Sequence, residues 1–198
     1  MIFGIDASLT NTAIVYGDGK HMNTAVFPSP SKTWAGRLVR QRVDRINDVV
    51  NRIMEWVEPN CPPQRKTEVI FFIESYSYNS MQGGEYLGEL GGVLRVRLSD
   101  LGTIYEVAPT TLKKFVTGKG NGKKIGMVAV LSRNYNVDFD TDDEYDAFGL
   151  YLLGLVGCGV APPRKAAEVE AAETVMKEWA NVLPIRHEPP NSQSVLPF

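Results

Sequence analysis

The sequence predicts an α/β fold: a five-stranded mixed sheet, three hairpin-connected strands followed by two parallel strands, flanked by helices. Three observations predict it. The first 28 residues hold three short apolar runs separated by turn residues, two solid apolar runs follow later, and stretches with helical periodicity alternate with them. Ile2, Phe3 and Ile5 form a run that ends at Asp6, and residues 12–16 form the next. Gly17-Asp18-Gly19 supplies a hairpin turn, since glycine and aspartate tolerate the backbone such turns need. Residues 21–27 return as the third strand, closed by Pro28 and Pro30. Residues 34–57 carry Leu38, Val43, Ile46, Val49, Val50, Ile53 and Trp56 at spacings near three and four, which is a helix, and Pro59, Pro62 and Pro63 end it.

Residues 69–73 are solidly apolar, as in a strand buried on both faces, with Glu74 at the end and a polar, aromatic loop over 75–84. A helix over 86–98 places Leu87, Leu90, Leu94 and Leu98 on one side. Its Gly88, Gly91 and Gly92 each cost up to about 1 kcal/mol relative to alanine, so close packing against the sheet or a partner helix is expected there. Residues 104–107 make the fifth strand, Pro109 starts a short helix, 117–124 form a Gly/Lys loop, and 125–134 a further helix. An acidic cluster precedes an apolar helix over 144–156. Beyond Pro162 and Pro163 the sequence gives an acidic amphipathic helix over 165–182 and a flexible tail over 189–198, so the chain divides into a domain of residues 1–160 and a C-terminal helix and tail, 161–198.

With 198 residues, 43% hydrophobic, the chain can bury a sizeable core without disulfides or structural metal. Cys61 and Cys158 lie far apart, in no metal-ligand spacing, and read as two unpaired thiols in a reducing compartment. No signal peptide opens the sequence and no apolar run reaches membrane-spanning length, so a soluble, cytoplasmic protein is expected. The net charge of −2 argues mildly against a nucleic-acid partner. Its distribution reverses that argument. Lys32, Arg37, Arg40, Arg42, Arg45 and Arg52 crowd one stretch, and five lysines without an acid occupy residues 113–124.

Four acids stand out by position: Asp6 and Glu74 each end a strand, while Asp143 and Asp146 stand three apart at a helix start, a spacing that shares one helical face. Gathered together, they could not all stay ionised without a cation. Oxygen ligands at that density suit magnesium or manganese, and two ions roughly 3.5–4 Å apart activate water and stabilise the leaving oxygen of a phosphodiester. Singly, each acid has another explanation. Asp143 suits a helix N-cap, Glu74 an exposed strand end, and the phrase around Asp6 also suits nucleotide-binding kinases. Asp142, four before Asp146, shares its face and competes with Asp143. Lys113, Lys114, Lys119, Lys123 and Lys124 surround VTGKGNGKK. This is no Walker loop, because Thr117 stands where glycine is required and Lys124 where Ser/Thr is required. Phosphate positioning, with glycines letting backbone N–H groups approach, and a merely solvated loop are the two readings.

GIDASLTNTA around Asp6, FIES around Glu74, DEYDA around Asp143 and Asp146, YLGELGGVLR, and EVAPTTLKKFVTGKGNGKK together resemble the RuvC-type Holliday-junction resolvases of the RNase H-like superfamily, in order over about residues 1–158. The resemblance implies an RNase H-like fold and a homodimer on four-way DNA junctions, in a bacterial or phage-infected cell, with a phage-type member among the options. It implies hydrolysis with two magnesium ions per site, manganese able to substitute. Asp6, Glu74, Asp143 and Asp146 would be the ligands, Asp6 bridging, and Lys113 and Lys124 would meet the DNA backbone. An aromatic after the glutamate, Tyr76 or Tyr78 here, would stack at the junction centre, worth about 1–3 kcal/mol per base. Packing on the sheet edge is the other role open to these tyrosines. Gln193, Leu196 and Phe198 in the last six residues resemble the short peptide by which replication proteins hold a bacterial sliding clamp; a free end is the alternative. A broader nuclease for branched DNA or RNA–DNA hybrid, and a non-catalytic junction-binding protein, are the rival functions.

Overall fold

The computed structural model describes residues 1–30, 38–75, 84–122 and 124–180. Strands β1 (Ile2–Asp6), β2 (Asn11–Gly17) and β3 (Met22–Pro28) run antiparallel in sequence order. Asp18 builds the β2–β3 turn, its Oδ1 accepting the backbone N–H of Lys20 at 2.9 Å and of His21 at 2.8 Å. Gly19 takes φ 91°, a left-handed conformation open to glycine. Helix α1 (Val39–Val57) follows, later than the periodicity suggested, because Leu38 is still extended; residues 34–37 lie outside the described part. Then come β4 (Ile70–Glu74), α2 (Gly84–Ser99), β5 (Thr103–Val107), α3 (Pro109–Thr117), α4 (Lys124–Tyr135), α5 (Asp142–Gly157) and α6 (Ala166–Ala180). The sheet order is β3-β2-β1-β4-β5, with β4 parallel to both β1 and β5. The five-stranded mixed sheet expected from the sequence is the one observed.

Strand alternation sends side chains to two cores. On one face Phe3, Ile5, Ile14, Phe71 and Ile73 pack against α1 and α2 through Ile53, Val49, Leu90, Leu94 and Leu98. On the other, Ile2, Ala13, Val15, Phe72 and Val107 meet α5, with α3, α4 and α6 beyond it. Helix α5 is buried without a break from Glu144 to Leu155, which explains why its sequence is apolar on every side. It also lies close to the sheet. A Cβ at Gly4 would run into the backbone of Ala147 and Tyr151, and one at Gly154 would come within 2.7 Å of the Phe72 ring and Ile2.

Helix α6 packs on α3 and α5, taking Ala171, Ala172 and Val175 out of solvent. Lys165 Nζ donates to the Val116 carbonyl at 2.7 Å, the last turn of α3. Both cysteines are free, and burial pushes the Cys61 thiol up to about 11. Among the described residues no helix is long and apolar enough to cross a membrane.

Three arginines of the first basic run are engaged within the fold, while Arg40 is exposed. Arg45 is buried and donates to Ser29 Oγ at 2.8 Å. Arg52 donates to the Pro28 carbonyl at 2.8 Å and pairs with Asp48 at 2.9 Å, while Arg42 lies over the Tyr86 ring and pairs with Glu89 at 3.4 Å. These side chains tie α1 to β3 and α2. Lys32 and Arg37 lie outside the described residues.

Candidate active site

Asp6 and Glu74 are the last residues of β1 and β4, two parallel neighbours whose register pairs Ile5 with Ile73. Counting back in twos, Asp6 follows Gly4 and Ile2, and Glu74 follows Phe72 and Ile70, so both carboxylates leave the sheet on the α5 side. Helix α5 brings the rest. Its N-cap is Thr141, in a reciprocal box: Thr141 Oγ1 accepts the Glu144 N–H at 3.3 Å, and Glu144 Oε2 accepts the Thr141 N–H at 3.1 Å. Asp143 is therefore not the cap. With Glu144 occupied in the cap, Asp143 and Asp146 are left on the face over the strand ends, while Asp142 points to solvent.

Carboxylate oxygens of Asp6, Glu74 and Asp146 all lie within 4.8 Å of one another, a group that can hold a metal ion. Asp143 adjoins it, beside Asp6 and 3.9 Å from Lys124 Nζ. Asn11, which the sequence motifs did not single out, stands at the start of β2 near Asp143 and opposes the upward push of burial on that carboxyl. Lys124, read from the sequence as loop, is the first residue of α4, and its Nζ reaches Asp146 Oδ2 at 2.9 Å.

Every acid here is pushed upward. Burial, then the charges of Glu74, Asp146 and Asp143, hold the Asp6 carboxyl well above the usual range, with Lys124 offsetting only part. Burial and the Asp146 charge raise Glu74 to about 7 against the pull of Lys124 and Lys113. Asp146 and Asp143 are raised by burial first, with Lys124 opposing. Burial works against the Lys124 charge, but its hydrogen bond to Asp146 and the charges of Asp146, Asp6 and Asp143 prevail and raise it. Four clustered acids facing the ammoniums of Lys124 and Lys113 form a centre short of positive charge. Its donors are all hard oxygens, which suits magnesium, manganese or calcium rather than a thiolate- or imidazole-seeking metal.

Beside the acids opens a cavity of about 220 Å³ lined by Glu74, Pro109, Leu112, Lys113, Lys124, Met127 and Asp146. Lys113 thus faces the acids. Lys114 turns the other way, to Glu170 of α6 at 2.6 Å, and Lys119 stands exposed in the loop. Lys123, Tyr76 and Tyr78 lie outside the described residues, as do Gln193, Leu196 and Phe198. A larger cavity, about 520 Å³, lies along α5 toward the β2–β3 turn. Apolar and aromatic side chains such as Tyr151 and Leu155 dominate its wall, and Glu168, its one carboxylate, accepts the Arg164 N–H at 2.6 Å. It lacks the acidic chemistry of the smaller one.

Three antiparallel strands, two parallel ones, and acids at the carboxyl ends of β1 and β4 beneath a helix start define an RNase H-like fold with an acidic centre. Among solved structures the chain is similar to Thermus thermophilus RuvC, with a TM-score of 0.55 and 18% identity, over 80% of this chain and 96% of that one. It is similar as well to T. thermophilus RuvC in complex with a Holliday junction substrate, with a TM-score of 0.52 and 18% identity, over 76% and 90% of the two chains. No family model matches the sequence, and no curated protein does. The likeness is therefore one of fold: this chain has the fold of RuvC.

Proposed function

We propose that the chain is a divalent-metal-dependent endonuclease that resolves four-way DNA junctions as a homodimer, each subunit nicking one strand. The observation that carries this reading is the convergence of Asp6, Glu74 and Asp146 within 4.8 Å at adjacent parallel strand ends. The RuvC-like fold, and the Holliday junction substrate held by one of its neighbours, support it. Asp6, Glu74 and Asp146, with Asp143 beside them, would hold the metal. Magnesium is the proposed ion, manganese a substitute, and the number of carboxylates suits two ions with Asp6 shared. When bound, such ions lower the pKa of a water and neutralise charge on the leaving oxygen.

The protein's own groups place the DNA. Lys113 and Lys124 present ammonium groups in the cleft beside the acids, where the non-bridging oxygens of a phosphodiester would sit. Pro109, Leu112 and Met127 give that cleft an apolar wall, which excludes water and strengthens the charge contacts. Lys119 and Lys123 would meet phosphates further along, and Lys114 only on release from Glu170. One of Tyr76 and Tyr78 would stack on bases at the junction centre. For the second subunit, α2 offers an outward stripe: nothing lies within 4 Å of a Cβ built at Gly88 or Gly92, and Val96 one turn further is 67% exposed. A sliding clamp remains the proposed partner of Gln193, Leu196 and Phe198.

The test is cleavage of a labelled four-way junction beside linear duplex, a fork and RNA–DNA hybrid, with magnesium, with chelator, and with Asp6→Asn. Symmetric paired nicks on the junction, lost with chelator and in the variant, are expected. Equal cutting of forks or hybrid would reassign the site to a broader nuclease, and tight binding without cutting in any metal would leave a junction-binding protein.

A further inference from the structure

We infer that Arg95 is a positioning residue of the acidic centre: from α2 it holds the backbone of Glu74 at the end of β4, fixing the point from which that carboxylate reaches a divalent cation. This rests on the metal site of the endonuclease reading and adds to it a cation on the opposite face of the sheet from the acids.

Strand pairing shows why the Glu74 backbone needs a partner. The β1–β4 register ends at Ile5–Ile73, so β1 offers nothing further to the Glu74 carbonyl. On the other side β5 takes the next amide, Ser75 N–H donating to the Val107 carbonyl at 2.9 Å. The Glu74 carbonyl is met instead by Arg95 Nη2, which donates to it at 3.1 Å. Strand ends without such a partner are the first part of a ladder to fray, and this one carries a proposed metal ligand.

Arg95 arrives from the far face. Ile73 and Ile104 pack toward α1 and α2, and Glu106 follows Ile104 by two on that same face. Glu74, one residue on from Ile73, sends its carboxylate the other way, toward α5. The acid is thus presented on one face of the sheet and its backbone is held from the other. Arg95 Nε pairs with Glu106 Oε1 at 2.5 Å, so a single guanidinium joins α2, β5 and the last residue of β4. Its helix is fixed in turn by Leu94 and Leu98, both fully buried.

Chemistry favours arginine in this position. The planar guanidinium carries its donors in a fixed fork, so one group can serve a carboxylate and a carbonyl together, which a lysine ammonium on a flexible stem does poorly. Folding stability is not the main gain. The Glu106 side chain is 47% exposed, and ion pairs at the surface contribute little to folding. Nor does Arg95 contend with a metal for the acid. Its charge is answered by Glu106, and the ammoniums that line the cleft with the Glu74 side chain are those of Lys113 and Lys124.

The test is calorimetric titration of the full chain with Mn2+, beside thermal unfolding in chelator. Arg95→Met keeps the apolar stem and removes the donors. It is expected to weaken Mn2+ binding about 10-fold, the low end for groups that orient metal ligands, because it acts through backbone. Arg95→Lys should restore part of the affinity. Arg97→Met, on the same helix, removes a guanidinium 3.7 Å from Glu58 and should bind Mn2+ as the parent does. Should Arg95→Met fail to fold, Arg95→Lys and Glu106→Gln carry the test, each expected to weaken Mn2+ by a smaller factor while folded. Parental Mn2+ affinity in the folded variants overturns the inference, as does an equal loss in Arg97→Met, which would make the effect a general loosening of α2. A parent chain that binds no Mn2+ overturns the endonuclease reading, and this inference with it.

Discussion

The two faces of the sheet are packed by opposite means. Toward α1 and α2 the space is filled by bulk: Phe3, Ile5, Phe71 and Ile73 stand between strand and helix. Toward α5 the backbones themselves approach at Gly4, where a Cβ would strike the backbone of Ala147 and Tyr151, while Gly154 makes room for the Phe72 ring and Ile2 and Ala13 and Ala147 are small. A face filled by large side chains contributes most of the apolar burial and adjusts by repacking. A face closed backbone to backbone leaves the helix little freedom to slide, and that helix carries Asp143 and Asp146. The first face holds the fold together; the second sets where the acids stand.

Substitutions can separate the two, and the largest effect is expected at the acids. Asp6→Asn should lower single-turnover junction cleavage by about ten-thousandfold or more, about 5 kcal/mol, yet raise the stability of the chelated protein at pH 8, since a buried charge is removed. Retained cleavage would remove Asp6 from the chemistry. Next, Phe71→Ala should cost about 3–5 kcal/mol in urea unfolding while the folded fraction binds Mn2+ as the parent does. Gly4→Ala, on the other face, should cost about 1–3 kcal/mol and impair Mn2+ binding even in the folded fraction. Equal metal affinity in both variants would dissolve the distinction between the faces.

A third expectation concerns pH. Glu74 is raised from 4.5 to about 7, so the folded state binds more protons than the unfolded one between those values. Stability of the chelated protein is then full below about 4.5 and falls as pH rises through about 7, by roughly 2–3 kcal/mol from this group. Unfolding in chelator across pH 5 to 8 measures it; Mg2+ should restore stability mainly at the upper end, and a profile that rises instead would contradict the burial of Glu74. Smallest is Thr141→Ala, which removes the α5 cap and should cost about 1 kcal/mol by thermal unfolding. Because that cap anchors the helix start, Mn2+ affinity should decline slightly with it.

The sheet was legible because its strands announce themselves as short apolar runs, and Asp6 and Glu74 because they interrupt such runs at their ends. The start of α5 was read two residues late: apolar periodicity begins after the acids, although Thr141 and Glu144, three apart, carried the capping signature in plain sight. That Arg42 and Arg45 are tied up within the fold was not legible, because their partners, such as Glu89 for Arg42, lie well away in sequence. Lys113 and Lys114 look equivalent in a line of letters; one faces the cleft and the other Glu170 only because α6 returns against α3. Asn11 gave no signal of charge or motif. Its place follows from strand register alone.

The return of α6 has a practical consequence for anyone wishing to shorten the chain. Cutting after residue 160 would take away the ammonium of Lys165 from the Val116 carbonyl and Glu170 from Lys114, and would bare the apolar side of α3 around Phe115 and Val116. The helix that presents Lys113 to the cleft would then lean mainly on α5 and α4. A trimming point that leaves the lysine side of the cleft supported falls beyond the end of α6, not at the Pro162-Pro163 punctuation that the sequence offers as a natural seam.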